Sequence, residues 1–374
     1  MGGRRYLISI SLLFSFWFYT SGQSQHSVGI SYSPSKFIRH SKKSTFESPT
    51  SSYFWKTHYS HKVNGAEGWH QYWKRPTISY NALYFHIGDD RVLGSAFGAF
   101  PSMQFDIFAV HKTKFYFHFG TGLAYISKKY DKLTNRTNNA IGSHWNNITQ
   151  LGFAIDQIVY KNLSVSVGTH LTHFSNARTS SPNAGINMVG YTLTLHQKLG
   201  ESPIKDSPVL AIEKDTTMTS KKWGGELLLG YGISEAADIG GPKYGTYFVN
   251  VGGSYALSPY WKIIVGGEYE YSQGVFQFLY QDFIPYDEAK EKATNTAAYL
   301  ATDLTFGKLA FRVQSGYYLP FPALSEINTP FYFKINFNVY PFPNHWTFRP
   351  YIGVLLKSHL EVAQYMGIVT GVSF

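Results

Sequence analysis

Apolar side chains recur along this chain every second residue, and not with the 3.6-residue period of a helix. In the stretch 331–340, Phe331, Phe333, Ile335, Phe337 and Val339 alternate with Tyr332, Lys334, Asn336, Asn338 and Tyr340. One face is apolar and the other polar or amphipathic, the alternation of a strand set between lipid and a wet lumen. Phe115, Phe117, Phe119, Leu123 and Tyr125 repeat it against His118, Gly120 and Gly122. Roughly sixteen segments of this kind follow one another, each of barrel-strand length or somewhat longer. In the first half they lie near 26–34, 52–62, 69–87, 92–108, 113–127, 145–160, 162–175 and 186–198. In the second half they lie near 222–233, 243–257, 259–272, 292–305, 306–317, 329–341, 346–358 and 363–374.

Composition narrows the choice. Only 15% of the 374 residues are charged, against about 25% in soluble domains. There are 29 Tyr, 29 Phe and 34 Gly, a profile that excludes disorder, coiled coils and a soluble helical enzyme. The chain has no Cys, which excludes a disulfide scaffold, a Cys-based zinc site and thiol catalysis. Arg4 and Arg5 precede an apolar run from Tyr6 to Tyr19, followed by Thr20, Ser21, Gly22 and Gln23. Residues 1–24 therefore read as a secretory signal, because the apolar run from Tyr6 to Tyr19 falls short of the roughly 20 residues that a membrane-spanning helix needs.

The links test the barrel idea. Several after odd-numbered strands are long (35–51, 128–144, 273–291), whereas those after even-numbered strands are mostly very short, as at Lys161 and Ser258. Outer-membrane barrels pair short periplasmic turns with longer external loops. The final Val372-Ser373-Phe374 resembles the terminal assembly signal of such barrels. The expectation is an all-β antiparallel transmembrane barrel of a Gram-negative outer membrane, with its strands in two halves of eight. Its parts are a first half over 25–198, a polar periplasmic linker over 199–221 and a second half over 222–374. One large barrel is slightly favoured over two small ones, because two closed barrels in a single chain are uncommon.

Chemistry concentrates in Thr169–Leu195. Leu163, Val165, Val167 and Leu171 share a face with His173 and Ser175, while Ser164, Ser166, Gly168, His170 and Thr172 share the other. The apolar face looks at lipid, so His173 and Ser175 stand at the end of a lipid-facing stripe. A His and a Ser two apart on one strand face are neighbours, and a serine hydroxyl becomes a nucleophile only with such a base beside it. Asn187, Val189, Tyr191, Leu193 and Leu195 face outward on the next strand, so antiparallel pairing brings Asn187 alongside His173 to orient the ring. Asn176 and the amides after it stand where an oxyanion would need donors. Pro182-Asn183 and Gly185 give the connecting loop a defined turn chemistry.

The runs His173-Phe174-Ser175-Asn176-Ala177 and Pro182-Asn183…Gly185 resemble the signature of PagL-type lipid A 3-O-deacylases, outer-membrane barrels of the acyloxyacyl hydrolase group. The resemblance covers about residues 26–198. It implies a hydrolase with Ser175 as nucleophile, His173 as general base, Asn176 in the oxyanion hole, and an ester-linked acyl chain of lipid A as substrate. The chain departs from the pattern at the twelfth residue after the serine, where the family's best-known members carry a catalytic Glu and this chain has Asn187. An amide fixes the tautomer of an imidazole, as in Cys-His-Asn enzymes, without lending the imidazolium a full charge. In the second half Lys357 and His359 precede the last strand, but Glu361 stands where a serine would be needed.

Basic residues bear on the partner. Lys36, Arg39, Lys42 and Lys43 fall in the first external link, Lys128, Lys129, Lys132 and Arg136 in the third, and Arg178 just after Ser175. Such charges suit the phosphates of lipopolysaccharide, and Arg178 and Asn183 are the expected substrate contacts. Export removes nucleic acid as a partner. Serine ester hydrolysis needs no metal or cofactor, no ligand spacing links the 14 His, and none is assigned. Trp69, Tyr72 and Trp73 read as interfacial belt aromatics. Asn135-Arg136-Thr137 and Asn147-Ile148-Thr149 match glycosylation spacing at chance level. A homodimer stays open. The rival reading is a non-catalytic barrel, either a channel or a lipopolysaccharide-binding scaffold.

Overall fold

The computed structural model describes residues 25–39, 45–200, 222–236, 239–319, 329–342, 347–360 and 362–374. The expected signal segment, nearly all of the linker, and Lys42, Lys43 and Glu361 lie outside them.

Each expected segment is a strand. The first half holds β1 (Gln25–Phe37), β2 (Ser52–Lys62), β3 (Thr77–Asp89), β4 (Gly94–Val110), β5 (Thr113–Ile126), β6 (Trp145–Tyr160), β7 (Leu163–Ser175) and β8 (Ile186–Leu199). The second holds β9 (Trp223–Glu235), β10 (Lys243–Ser258), β11 (Trp261–Ser272), β12 (Thr294–Phe306), β13 (Leu309–Tyr318), β14 (Phe331–Val339), β15 (Arg349–His359) and β16 (Val362–Ser373). Two stretches differ from expectation. Residues 69–76 do not extend β3: Gly68–Tyr72 is a short helix, α1. Lys74 and Arg75 then take positive φ, and Pro76 has no N–H to give a ladder. The link after β11 folds into two helices, α2 (Gln273–Gln281) and α3 (Tyr286–Lys292), the first capped by the Ser272 hydroxyl accepting from the Val275 N–H.

The strands close into two rings of eight rather than the single large barrel slightly favoured from the sequence. β1 pairs with β8, from His26 opposite Leu199 to Phe37 opposite Met188, and β9 pairs with β16, from Glu226 opposite Ser373 to Ile233 opposite Met366. Each closure removes the unpaired edges an open eight-stranded sheet would expose. The chain divides into two compact units, built on these barrels.

In the first barrel, inward side chains near the β7–β8 loop form an apolar core that includes Phe54, Phe85, Phe100, Ile148, Phe174 and Met188. The rest of its lumen is polar, with a cavity of about 120 Å³ lined by Lys56, His58, His118, Ser166 and His196 among others. The second barrel is filled by charge. Arg312 donates to both oxygens of Glu226 (2.7 and 2.6 Å) and of Asp303 (2.6 and 2.9 Å). Lys357 meets both oxygens of Glu270 at 2.7 Å. Lys334 lies 2.8 Å from Glu268 and 3.7 Å over the ring of Phe248. An eight-stranded ring is just wide enough for side chains to fill, so these layers leave no room for the wide bore of a channel.

The outer walls are apolar. Val167, Tyr191 and Leu193 of the first barrel and Val251, Val265 and Ile368 of the second are each more than half exposed. No helix among the described residues is long and apolar enough to cross a membrane; the strands do the crossing.

Candidate active site

The site is built by the facing ends of β7 and β8. Side chains of β7 alternate as the sequence predicts: Ser164, Ser166, His170, Thr172 and Phe174 are buried in the lumen, and Val167, Thr169 and Leu171 are exposed on the wall. His173 shares that outer face. It pairs in register with Asn187, and its Nδ1 lies 2.6 Å from the Asn187 Oδ1. An amide oxygen only accepts, so Nδ1 carries the hydrogen and Nε2 is left with its lone pair. Ser175, two residues on, pairs with Asn147 of β6. Directly opposed residues point to the same face of a sheet, and Asn147 is exposed on the outer wall, so Ser175 is on the His173 side. Ser175 is itself well buried, at 7% exposure.

The loop after Ser175 doubles back at once. Ala177 and Arg178 both adopt left-handed φ, 55° and 64°, and the Thr179 N–H closes the turn on the Asn176 carbonyl at 3.1 Å. Left-handed backbone costs a non-glycine residue about 1–2 kcal/mol, so this turn is held by its surroundings. Asn176, buried, is one anchor: its N–H donates to the Asn183 Oδ1 (3.0 Å) and its side-chain amide to the Ser180 carbonyl (2.9 Å). Asn183, expected at the substrate, is thus tied to the residue after the serine. Arg178 is half-buried.

Gly185 lies against the ring of His173, an approach that alternation could not identify. Its φ is +77°, and a Cβ built on it would lie 2.9 Å from Cε1 of His173. Its N–H donates to the Ala140 carbonyl at 3.0 Å, which fixes the backbone against the ring. The clue in the sequence is the Gly closing the Pro182-Asn183-Ala184-Gly185 run.

Other expected residues are placed apart from this pair. Lys357 and His359 point into the second lumen, where His359 Nε2 lies 2.8 Å from the Tyr318 hydroxyl, so they form no copy of the wall site. Lys36, Arg39, Lys128, Lys129, Lys132 and Arg136 are exposed, and Arg39 donates to the Phe46 carbonyl. Trp69 is buried with its indole N–H on Glu67, not placed in an interfacial belt. Among the described residues no group of three or more His, Cys, Asp or Glu is arranged to hold a metal ion.

Closed antiparallel barrels with apolar walls, one carrying a Ser and a paired His–Asn on its lipid side, define the class: a Gram-negative outer-membrane β-barrel protein with its candidate site on the outer wall. Within that class, residues 54–196 match the model of the family described as Lipid A 3-O-deacylase (PagL). The matched stretch runs from β2 to β8 and contains His173, Ser175, Asn176 and Asn187; the second barrel lies outside it. No curated protein matches the chain. Among solved structures the chain is similar in fold to Neisserial surface protein A, at 10% identity over 46% of this chain and 97% of that one, with a TM-score of 0.33. It is similar also to the outer membrane enzyme PagL, at 18% identity over 46% and 99%, with a TM-score of 0.30. A mutant Rh. blastica porin aligns over 94% of this chain at 9% identity and a TM-score of 0.20. Likenesses this distant carry no functional argument.

Proposed function

We propose that the first barrel is a serine esterase that removes an ester-linked acyl chain from lipid A in the outer leaflet. The observation that carries this reading is the 2.6 Å contact of His173 with Asn187 on the lipid-facing wall, with Ser175 two residues along the same strand face. In this mechanism Asn187 accepts from Nδ1–H of His173, which leaves Nε2 to take the Ser175 proton as Oγ attacks the ester carbonyl. Asn176, whose backbone N–H is held by Asn183, donates to the oxyanion through the side-chain N–H not used on Ser180, together with the turn amides after it. The imidazolium returns its proton to the departing sugar oxygen, leaving an acyl-enzyme. Water, deprotonated by the same ring, then releases the fatty acid and restores the serine. Asn183 acts through Asn176, by holding its N–H, and Arg178 and the exposed basic residues of the external links meet the phosphates. Every step uses the chain's own residues.

A serine-directed fluorophosphonate tests the assignment. It is expected to label the folded wild-type barrel at Ser175 and to leave Ser175→Ala and His173→Ala unlabelled. Labelling of Ser175→Ala at the wild-type rate would place the reactive serine elsewhere.

A further inference from the structure

Beside the His173–Asn187 pair, on the side away from β8, the outer wall carries a second polar group that lipid contact alone does not explain. Thr121 of β5 pairs with Thr149 of β6, and Thr149 with His173 of β7. The row Thr121–Thr149–His173–Asn187 therefore crosses four strands on one face. Asn147, two residues from Thr149, faces Ser175 directly. Deeper along the wall the same faces continue with Phe117, Phe119, Leu151 and Phe153, the apolar surface expected against acyl chains. Polar groups on such a wall are costly and mark function.

The hydrogen bonds within this patch set which groups it could bind. The Asn147 amide donates one hydrogen to the Thr121 Oγ1 at 2.9 Å and the other to the Gly122 carbonyl at 3.0 Å. The Thr149 hydroxyl donates to the Asn147 Oδ1 at 2.8 Å, so the 3.0 Å contact between the two threonines must be made with the Thr121 hydrogen. All four side-chain donors are spent inside the ladder. An amide oxygen and a hydroxyl each accept two hydrogen bonds, so Asn147, Thr121 and Thr149 each keep one acceptor position. The patch can accept hydrogen bonds and cannot donate them. It suits hydroxyl or amide N–H groups and gives nothing to a phosphate.

We propose that Thr121, Asn147 and Thr149 form an acceptor subsite that holds a hydroxyl or amide N–H of the acylated substrate next to Ser175. The proposal rests on the esterase reading and assigns the β6 side of the serine to substrate recognition, opposite the β8 side that orients the base. The donor has two sources on such a substrate: the sugar that carries the ester, or a hydroxyl on the acyl chain.

The test uses the full-length protein in detergent, with three substrates: lipid A, p-nitrophenyl 3-hydroxytetradecanoate and p-nitrophenyl tetradecanoate. The double variant Thr121→Val/Thr149→Val keeps side-chain shape and faces lipid, so it should fold, which heat-modifiable migration checks. The expected result is a fall of about tenfold in kcat/KM on lipid A relative to the plain tetradecanoate, the loss of roughly two hydrogen bonds. Thr149→Ser, which keeps the hydroxyl, should stay close to the wild type. A matching fall on the hydroxylated ester would locate the donor on the acyl chain, and a fall confined to lipid A would locate it on the sugar. An unchanged ratio, or an equal fall on all three substrates, would overturn the subsite while leaving the esterase standing. Ser175→Ala separates the two ideas: full hydrolysis in that variant would remove the esterase reading, and the subsite with it.

Discussion

In the proposed esterase, Asn187 sets how well His173 works as the base. Its oxygen fixes the ring's tautomer at 2.6 Å, but a neutral amide stabilises the imidazolium less than a carboxylate would, since charge-assisted hydrogen bonds are roughly twice as strong as neutral ones. Asn187→Glu is therefore expected to raise the rate of acyl release, by about tenfold, and Asn187→Leu, which frees the ring, to lower it by at least as much; initial rates on purified lipid A check both. Gly185→Ala should leave the barrel folded and reduce kcat about tenfold or more, because the added methyl meets Cε1 of His173 at 2.9 Å on a backbone held at φ +77°. Unchanged turnover in that variant would mean that ring and loop give way freely. The pairing of His173 with Asn187 was legible from strand parity. The approach of Gly185 to the ring was not, because it is a distance across a loop and leaves no periodic trace. The acceptor ladder was visible only as an Asn-x-Thr spacing, since its meaning depends on which strand lies beside β6.

At the level of elements, the wall of β7 separates two environments one residue apart. Val167 is 59% exposed to the lipid side and Ser166 is 1% exposed in the lumen. Val167→Lys should cost about 2–4 kcal/mol of folding stability if it lies near the bilayer midplane, measured by urea titration in lipid vesicles. A cost near zero would mean that this part of the wall does not face hydrocarbon. Strands were legible throughout because alternation is local and survives without knowledge of partners. The exceptions have local causes. Trp69, Tyr72 and Trp73 mimic a strand's aromatics, but Lys74, Arg75 and Pro76 break the ladder before β3 begins. In α2, Phe276 and Leu279 are buried three residues apart, a helical spacing too short to stand out beside sixteen alternating segments.

For the whole molecule, closure was the feature alternation could not decide. Which strand meets β1 is set by pairings more than 150 residues apart in sequence, such as His26 with Leu199, and both closure schemes share the same local pattern. Two small rings also change what the lumen does. Arg312, fully buried between Glu226 and Asp303, holds the second barrel's interior together. Arg312→Met strands Glu226 without a cation and should destabilise that barrel by about 3–5 kcal/mol, seen as a lower transition in heat-modifiable migration. Among the described residues the second barrel adds no copy of the wall site, so activity should depend on the first. The most direct test of the central claim is mass spectrometry of lipid A from Gram-negative cells expressing the wild type or Ser175→Ala, with both proteins shown folded in the outer membrane. Loss of one acyl mass with the wild type and none with Ser175→Ala is the predicted result; identical lipid A in the two strains would contradict it.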